Sequence, residues 1–277
     1  MLNVVRAQKA FIAVVSFTLF VVLIFPYAIM LLTSLKSKDT IYSIPPTFFP
    51  EEWVFTNYLD VWTVVPLRHY IINSVLLASG STLLALICAI PAAYALARMR
   101  FSGRRIYLYA VIATQIFSPI VLLVGLFREM RWFGLLDSLW ALVLINGAFF
   151  QAFAIWILSG YFASIPYSLE EAAWIDGCTR LGAVRRIVLP LALPGLVTTV
   201  IFVFIQSWNE FVVALTIILT ETKKPITVGI FSFFGRYDVD WEYVFATSLI
   251  ATIPVVVLFL LIEKYLVSGL TAGGVKE

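Results

Sequence analysis

Residues 70–97 read YIINSVLLASGSTLLALICAIPAAYALA, a run of 28 residues without a single Asp, Glu, Lys or Arg. At about 1.5 Å per residue, such a run is long enough to cross roughly 30 Å of hydrocarbon as one α-helix. Five further runs of more than 20 mainly apolar residues lie at 10–35, 106–127, 138–160, 193–219 and 243–266. The sequence therefore predicts an all-α integral membrane protein with six transmembrane helices.

The composition supports a membrane environment and excludes other classes. Of the 277 residues, 62% are hydrophobic and 13% are charged, whereas a soluble domain has about half and a quarter. A soluble enzyme built on one compact core is excluded, and a β-barrel would show spans of about ten alternating residues. We expect a single transmembrane domain over residues 1–277.

The distribution of arginine predicts the orientation in the membrane. Residues 98–105 contain four arginines, and positively charged loops stay in the cytoplasm, which favours cytoplasmic N- and C-termini. The first apolar run is longer than the core of a signal peptide and is expected to be retained. Cys88 and Cys178 fall in a span and in an inner loop, and they are interpreted as packing residues rather than a disulfide.

Two long loops face outside on this topology. Residues 36–69 are rich in proline and aromatic residues and are predicted to carry a short helix around 57–62. Residues 220–242 include the bulky run 231–235, FSFFG. These aromatic residues fit either contact with the membrane interface or contact with a partner.

The inner segment 161–192 has the strongest pattern in the chain. Pro166 can begin a first helix, and Gly177 can end it in a left-handed conformation. Helical spacing places two apolar sets on one face each: Leu169, Ala172 and Ala173, then Leu181, Val184, Ile187 and Val188. Pro190 and Pro194 are expected to break the chain before the fifth span. The segment should form two short helices across the inner membrane surface.

One motif in this segment resembles a known signature. Its positions are Glu171, Ala172, Ala173, Gly177, Ile187, Leu189 and Pro190, in the order E-A-A-x3-G-x9-I-x-L-P. This is similar to the EAA signature of the membrane subunits of bacterial ABC importers, and a chance match is of the order of one in ten million per start position. The alternative is an amphipathic juxtamembrane helix without a partner.

The resemblance extends along the chain. Asn73-Ser74, the run 208–211 (WNEF) and the ending 269–276 (GLTAGGVK) look like a maltose-type carbohydrate permease, and in particular its G-type subunit. Resemblance implies a type I ABC importer permease in a bacterial or archaeal cytoplasmic membrane. The implied partners are an F-type permease in a heterodimer, two cytoplasmic ATPase subunits, an external sugar-binding protein and membrane lipid, without nucleic acid.

The same resemblance implies roles for individual residues. Residues 161–192 would be the coupling loop, with Glu171 facing basic residues of the ATPase and Ala172, Ala173 and Gly177 forming a close-packed turn. Ile187, Leu189 and Pro190 would fix this turn to its own helices. Thr271, Gly273 and Lys276 would lie in a tail between the ATPase subunits, although a disordered end is the alternative. Residues 224–240 would help to eject sugar from the binding protein.

The fifth span contains polar residues inside the predicted membrane region. Gln206, Asn209 and Glu210 would share one face of a continuous helix. A charge at midspan costs about 2.5–3.5 kcal/mol, so Glu210 should face the bundle or water. Lining of the translocation path and hydrogen bonding between helices both fit. In the maltose family the sugar site belongs chiefly to the other permease, so these residues are not assigned to sugar contact.

The energy source is expected on another subunit. The sequence contains no Gly-Lys dipeptide and hence no G-x-x-x-x-G-K-[ST] phosphate loop. We expect no catalytic residues, metal or cofactor on this chain, and ATP with Mg²⁺ on the partner ATPase. Two alternatives are an importer permease for another solute such as glycerol phosphate, and a secondary transporter with inverted repeats or broken helices.

Overall fold

The structure is a computed structural model that describes residues 2–272, with side chains at position 9 and over 11–263. Helices dominate it, and the described residues contain an isolated bridge between Phe234 and Val239 but no strand. In chain order the helices are α1 (Leu2–Ser34), α2 (Lys38–Ile41), α3 (Asn57–Val64), α4 (Leu67–Arg98), α5 (Arg104–Ala113), α6 (Pro119–Trp132), α7 (Leu139–Ser164), α8 (Ser168–Ile175), α9 (Arg180–Ala183), α10 (Leu189–Leu191), α11 (Leu193–Trp208), α12 (Val212–Ile217), α13 (Ile226–Ile230) and α14 (Trp241–Ala272).

The predicted helical membrane class is confirmed. Among the described residues, α1, α4, α7 and α14 each contain a stretch long and apolar enough to cross a membrane alone. Two bent helix pairs bring the possible number of spans to six. The short helix predicted around 57–62 is present as α3.

The third span is not the straight helix predicted over 106–127. Its two halves, Arg104–Ile116 and Pro119–Trp132, meet at 95°. Ser118 has extended backbone angles, as expected for a residue that precedes proline. Pro119 has no N–H to continue the helix and instead starts the next one.

The fifth span, predicted as one helix over 193–219, is also interrupted. Helix α11 ends at Trp208, and α12 begins at Val212. At its other end, α11 meets the segment Arg180–Leu191 at a bend of 76°. Pro194 stands in the first turn of α11, so the break expected between Pro190 and Pro194 is confirmed.

The chain divides into two compact units, and the first comprises the residues up to Leu67 together with Ile230–Ile253. Within it, the Asn57 side chain donates hydrogen bonds to the carbonyls of Ser34 and Lys36, both at 2.9 Å. These bonds hold the end of α1 against the start of α3. The apolar side chains of α1 between residues 11 and 27 are exposed, as suits a helix with lipid or another membrane protein around it.

The second unit comprises Arg68–Gly229 and the chain from Pro254. Ala85, Ala89 and Ala93 form a fully buried row on α4. Small residues let helix backbones approach closely where no water is present to drive association. Gly195 on α11 shows the same principle, because a Cβ there would overlap the ring of Tyr161 on α7.

Candidate functional site

The end of α8 forms the turn that the sequence predicts at Gly177. Gly177 has φ +87°, in the left-handed region that favours glycine. The Cys178 N–H donates to the Ala173 carbonyl at 2.9 Å, and the Gly177 N–H donates to the Trp174 carbonyl at 3.0 Å. This pair of bonds is a Schellman motif, which satisfies carbonyls at the helix end. The turn is therefore ordered by its own backbone.

A second short helix leaves this turn. The Thr179 hydroxyl accepts a hydrogen bond from the Gly182 N–H at 3.0 Å and caps α9. Residues Val184–Val188 then form a π-turn before α10. Of the four residues expected on one apolar face, Val188 is fully buried and Val184 and Ile187 are half-buried, whereas Leu181, which precedes the π-turn, is exposed.

The inward face of α8 also differs from the expectation. Leu169 and Ala172 are exposed, and the residues that are buried are Ala173 and Glu170, one turn apart. The inward face of α8 therefore packs through a buried carboxylate and Ala173, and not through the expected apolar residues Leu169 and Ala172. Glu170 stands just before the signature residues, and no sequence pattern indicated a role for it.

Glu170 is held by two side chains from α4. Its carboxylate is 0% exposed and lies 2.6 Å from the Nε of Arg98, whose side chain is 8% exposed. The Tyr94 hydroxyl donates to the other carboxylate oxygen at 2.6 Å. Arg98 also donates to the carbonyl of Ile165, just after α7, at 2.9 Å. We refer to Arg98, Glu170 and Tyr94 as the buried charge cluster.

The opposite surface of α8 is open. Glu171 and Ala172 are exposed, and Ile175 is 87% exposed. Asp176 and Gly177 continue this exposed surface. We refer to residues 171–177 as the exposed turn, although Ala173 within it faces inward. An acidic and partly apolar surface on an ordered helix end is suited to contact with another protein.

The other signature residues lie behind this turn. Ile187 and Leu189 are half-buried, and Leu189 packs against a buried cluster that includes Phe162 and Val188. Pro190 is exposed. The placement of Leu189 agrees with the expected role of fixing the turn to its own helices, and that role stays a prediction.

A cavity of about 460 Å³ lies beside the buried charge cluster. Its wall includes Trp174 and Arg180, and the Arg180 guanidinium lies 5.3 Å from the Trp174 ring centroid. Its remaining lining combines apolar side chains with those of Tyr94, Arg98, Tyr167 and Arg185.

The polar residues of the fifth span do not share one helical face. Gln206 and Asn209 are exposed, whereas Glu210 lies in the break between α11 and α12. Its carboxylate accepts hydrogen bonds from the N–H groups of Val213 at 2.7 Å and Ala214 at 2.9 Å. An uninterrupted helix would engage those N–H groups with backbone carbonyls, so the carboxylate is satisfied only because the helix restarts.

Asp137 anchors the segment that follows α12. Its carboxylate accepts hydrogen bonds from the N–H groups of Leu219 and Thr220, both at 2.9 Å, and from the Lys223 ammonium at 2.9 Å. Burial alone would raise the pKa of this carboxyl, but the hydrogen bonds from Thr220, Lys223 and Leu219 hold the pKa well below its usual range.

Two residues at the start of α4 anchor the next part of the chain. The Asn73 side chain donates to the carbonyls of Thr222 at 2.9 Å and Lys224 at 3.1 Å. The Ser74 hydroxyl accepts a hydrogen bond from the Ile226 N–H at 2.7 Å. The Asn73-Ser74 pair, which stood out in the sequence only for its resemblance to maltose-type permeases, thus holds the first part of the predicted 224–240 loop.

With this geometry established, comparison with known proteins identifies the family. Residues 81–271 match the family described as binding-protein-dependent transport system inner membrane component. The chain belongs to this family of importer permeases.

Individual relatives agree with the match. The permease is 37% identical to the sulfoquinovosyl glycerol transport system permease protein SmoH of Agrobacterium fabrum, over 91% of this chain and 89% of that one. It is 35% identical to the trehalose/maltose transport system permease protein MalG of Thermococcus litoralis, over 92% of each chain. Among solved structures, a bacterial ABC transporter involved in the import of the acidic polysaccharide alginate matches with a TM-score of 0.80 at 25% identity, over 94% of this chain and 96% of that one.

These matches confirm the resemblance to maltose-type ABC importer permeases and the multi-pass membrane location. Interrupted helices such as the third and fifth spans were the feature expected of a secondary transporter. Since the family match covers both interruptions, they are features of this importer permease instead.

The remaining predicted residues lie toward the end of the permease. In the run 230–240, Tyr237 is 91% exposed, and Phe231 stacks on Phe234 with centroids 5.3 Å apart. Thr271 falls in the last turn of α14, but its side chain is outside the described residues. Gly273 and Lys276 lie entirely outside the described residues.

Proposed function

We propose that this permease forms half of the translocation path of an ATP-driven importer for a sugar, of the size of a disaccharide or oligosaccharide. The relatives named above are permeases for sulfoquinovosyl glycerol and for trehalose and maltose, and the solved neighbour imports alginate. All four solutes are sugars or sugar derivatives. A permease for another solute such as glycerol phosphate is the competing assignment.

The observation that carries the mechanism is the exposed turn on a buried support. Glu171 and Ile175 project from a helix whose other face is held by Glu170 and Ala173. Such a projection is rigid enough to receive force from another subunit. We propose that each of two cytoplasmic ATPase subunits, which bind ATP and Mg²⁺, grips one such turn, with basic residues of one subunit facing Glu171.

Transport then follows from rigid-body movement. When ATP draws the two ATPases together, this exposed turn and its counterpart on an F-type permease partner move together. The membrane helices change between inward-facing and outward-facing arrangements as packed bodies. The N- and C-termini lie in the cytoplasm, and the tail with Thr271, Gly273 and Lys276 reaches between the ATPase subunits.

The external side receives sugar from a binding protein. The 224–240 loop contacts that protein through its exposed end around Tyr237, while Asn73, Ser74 and Asp137 hold its base and the segment before it. Within the membrane, Gln206 and Asn209 line the path, and Glu210 shapes the break beside them.

Reconstitution with the partner permease, ATPase and binding protein tests this assignment. Glu171→Lys and Gly177→Asp should abolish ATP-driven sugar uptake while leaving the permease in the membrane. Glu51→Lys makes the same charge reversal at an exposed glutamate far from this turn in sequence, and it serves as the matched control. Normal uptake by both variants would overturn the proposal. A ligand screen on the binding protein identifies the sugar, and a solute without sugar character would favour the competing assignment.

A further inference from the structure

Two adjacent glutamates on α8 have opposite surroundings. Glu171 is exposed, whereas the Glu170 side chain is 0% exposed and faces Arg98 and Tyr94 of α4. The two residues differ by one position in the chain and by about 100° around the helix. One can meet a partner subunit, and the other can act only inside this permease.

Arg98, the partner of Glu170, links separate parts of the fold. It belongs to the last turn of α4, it pairs with Glu170 on α8, and it donates to the carbonyl of Ile165 at the end of α7. Its guanidinium also lies 5.6 Å from the ring centroid of Tyr167, in the connection between α7 and α8. Arg98 therefore joins the ends of α4 and α7 to α8.

A buried ion pair resists separation more than an exposed one. If α8 moved away from α4, Glu170 would lose its cationic partner and Arg98 would keep the Ile165 carbonyl but lose its carboxylate, and breaking a buried ion pair in this way is strongly unfavourable. The Tyr94 hydroxyl would lose its acceptor in the same movement. The elements joined by the pair should therefore move as one body when α8 is displaced.

We infer that the Arg98–Glu170 ion pair is a rigid joint that transmits movement of α8 to the transmembrane helix α4. Arg98 and Glu170 are positioning residues, because neither contacts the transported solute or ATP in this mechanism. The inference rests on the proposed function, since it presumes that an ATPase displaces α8. It adds that the displacement reaches the membrane through α4, and not only through the direct chain connection to α7.

A distance measurement in the assembled importer tests the joint without altering it. In a background with Cys88 and Cys178 replaced by serine, spin labels are placed at Met99→Cys, just after α4, and at Leu169→Cys on α8. Both positions are exposed and lie outside the exposed turn. The distance between them should change by less than the shifts of about 1–2 Å that packed helices make at interfaces, with and without ATP. A larger ATP-dependent change would overturn the inference.

Substitution of the pair supplies a second readout. Glu170→Gln keeps the size of the side chain and an acceptor for Tyr94 but removes the charge. It should leave the ATPase bound and hydrolysing ATP, while the ATP consumed per sugar imported rises severalfold, because movement of α8 no longer reaches α4 in full. Arg98→Lys retains the charge but loses the planar guanidinium that reaches Glu170 and the Ile165 carbonyl at once, and it should give a smaller rise.

The outcomes separate this inference from the proposed function. A wild-type ratio of ATP to sugar in a fully assembled Glu170→Gln importer would overturn the joint alone. Absence of ATP-driven uptake or of ATPase binding by the wild-type permease would overturn the proposed function instead. If Glu170→Gln fails to assemble, the spin-label distances, measured in a permease that keeps Arg98 and Glu170, decide whether the ion pair acts as a rigid joint.

Discussion

The Glu210 carboxylate accepts a hydrogen bond from the Val213 N–H at 2.7 Å, across the break that separates α11 from α12. A second bond from Ala214 at 2.9 Å completes the cap. An acidic residue in the fifth span thus has a structural role in starting the next helix. The same break leaves Asn209 exposed beside it, at the end of α11.

Removal of this cap should destabilise the permease. We expect Glu210→Ala to lower the free energy of unfolding by about 1 kcal/mol, within the roughly 0.5–2 kcal/mol lost with helix caps. Glu210→Gln retains a side-chain oxygen and should lose less. Thermal unfolding of the detergent-purified permease checks the order, with Gln206→Ala at an exposed position as control. Equal melting of all three variants would show that the cap does not contribute.

The close approach of α7 and α11 makes a second prediction. A Cβ at Gly195 would overlap both the ring of Tyr161 and the Tyr161 Cβ, the latter at 2.9 Å, so rotation of the ring cannot relieve the overlap. Gly195→Ala should destabilise the permease by about 1–3 kcal/mol, as overpacking does in cores. A Cβ at Gly160, a glycine on α7 itself, would meet no atom within 4 Å, so Gly160→Ala is the matched control. Similar melting temperatures for both variants would contradict this packing.

The anchor at Asp137 should depend on pH in a defined direction. Because the folded protein lowers the pKa of this carboxyl, its stabilisation is fully present above the unfolded value of about 3.9 and disappears as pH falls through the lower folded value. The melting temperature of Asp137→Asn should therefore lie below that of the wild type by the same margin at pH 5 and at pH 8. That margin should begin to shrink as pH falls through about 4, and it should go on shrinking toward the lower folded value.

An exposed aspartate supplies the comparison for this anchor. Asp39→Asn at an exposed site should show little difference from the wild type at either pH. A margin for Asp137→Asn that disappears between pH 8 and pH 5 would show that the carboxylate is not held in its charged form by Thr220 and Lys223.

Local signals were sufficient for much of this structure. The apolar runs predict the membrane class, and Gly177 predicts the left-handed turn, because both depend on residues close together in sequence. The Ser118-Pro119 bend had a local signal as well, since proline removes a backbone donor, but the apolar run outweighed it.

The remaining features depend on distant residues. Tyr94 lies 76 positions before Glu170, and only the packing of α4 against the 161–192 loop brings them together. Arg98 was interpreted as a determinant of orientation because its partner cannot be read from neighbouring positions. Glu210 was placed on a helical face because periodicity alone does not show that its carboxylate replaces the backbone partners of Val213 and Ala214.

The end of the chain provides a further prediction. Truncation before Thr271 should reduce the amount of ATPase recovered with the purified permease, because the tail is proposed to lie between the ATPase subunits. Quantitative co-purification from membranes measures this, with the permease level as the reference. Unchanged recovery of the intact assembly after truncation would remove that role from Thr271, Gly273 and Lys276.

The most direct test of the account asks what covers the exposed turn. Ile175 is 87% exposed in the isolated permease, so Ile175→Cys, in a background without Cys88 and Cys178, should cross-link to the ATPase in the assembled importer. Tyr237 is 91% exposed and lies on the proposed external side, so Tyr237→Cys should give no cross-link to the ATPase. If Ile175→Cys instead reacts with a water-soluble maleimide equally well with and without the ATPase, and gives no cross-link, the account of coupling through this turn is contradicted.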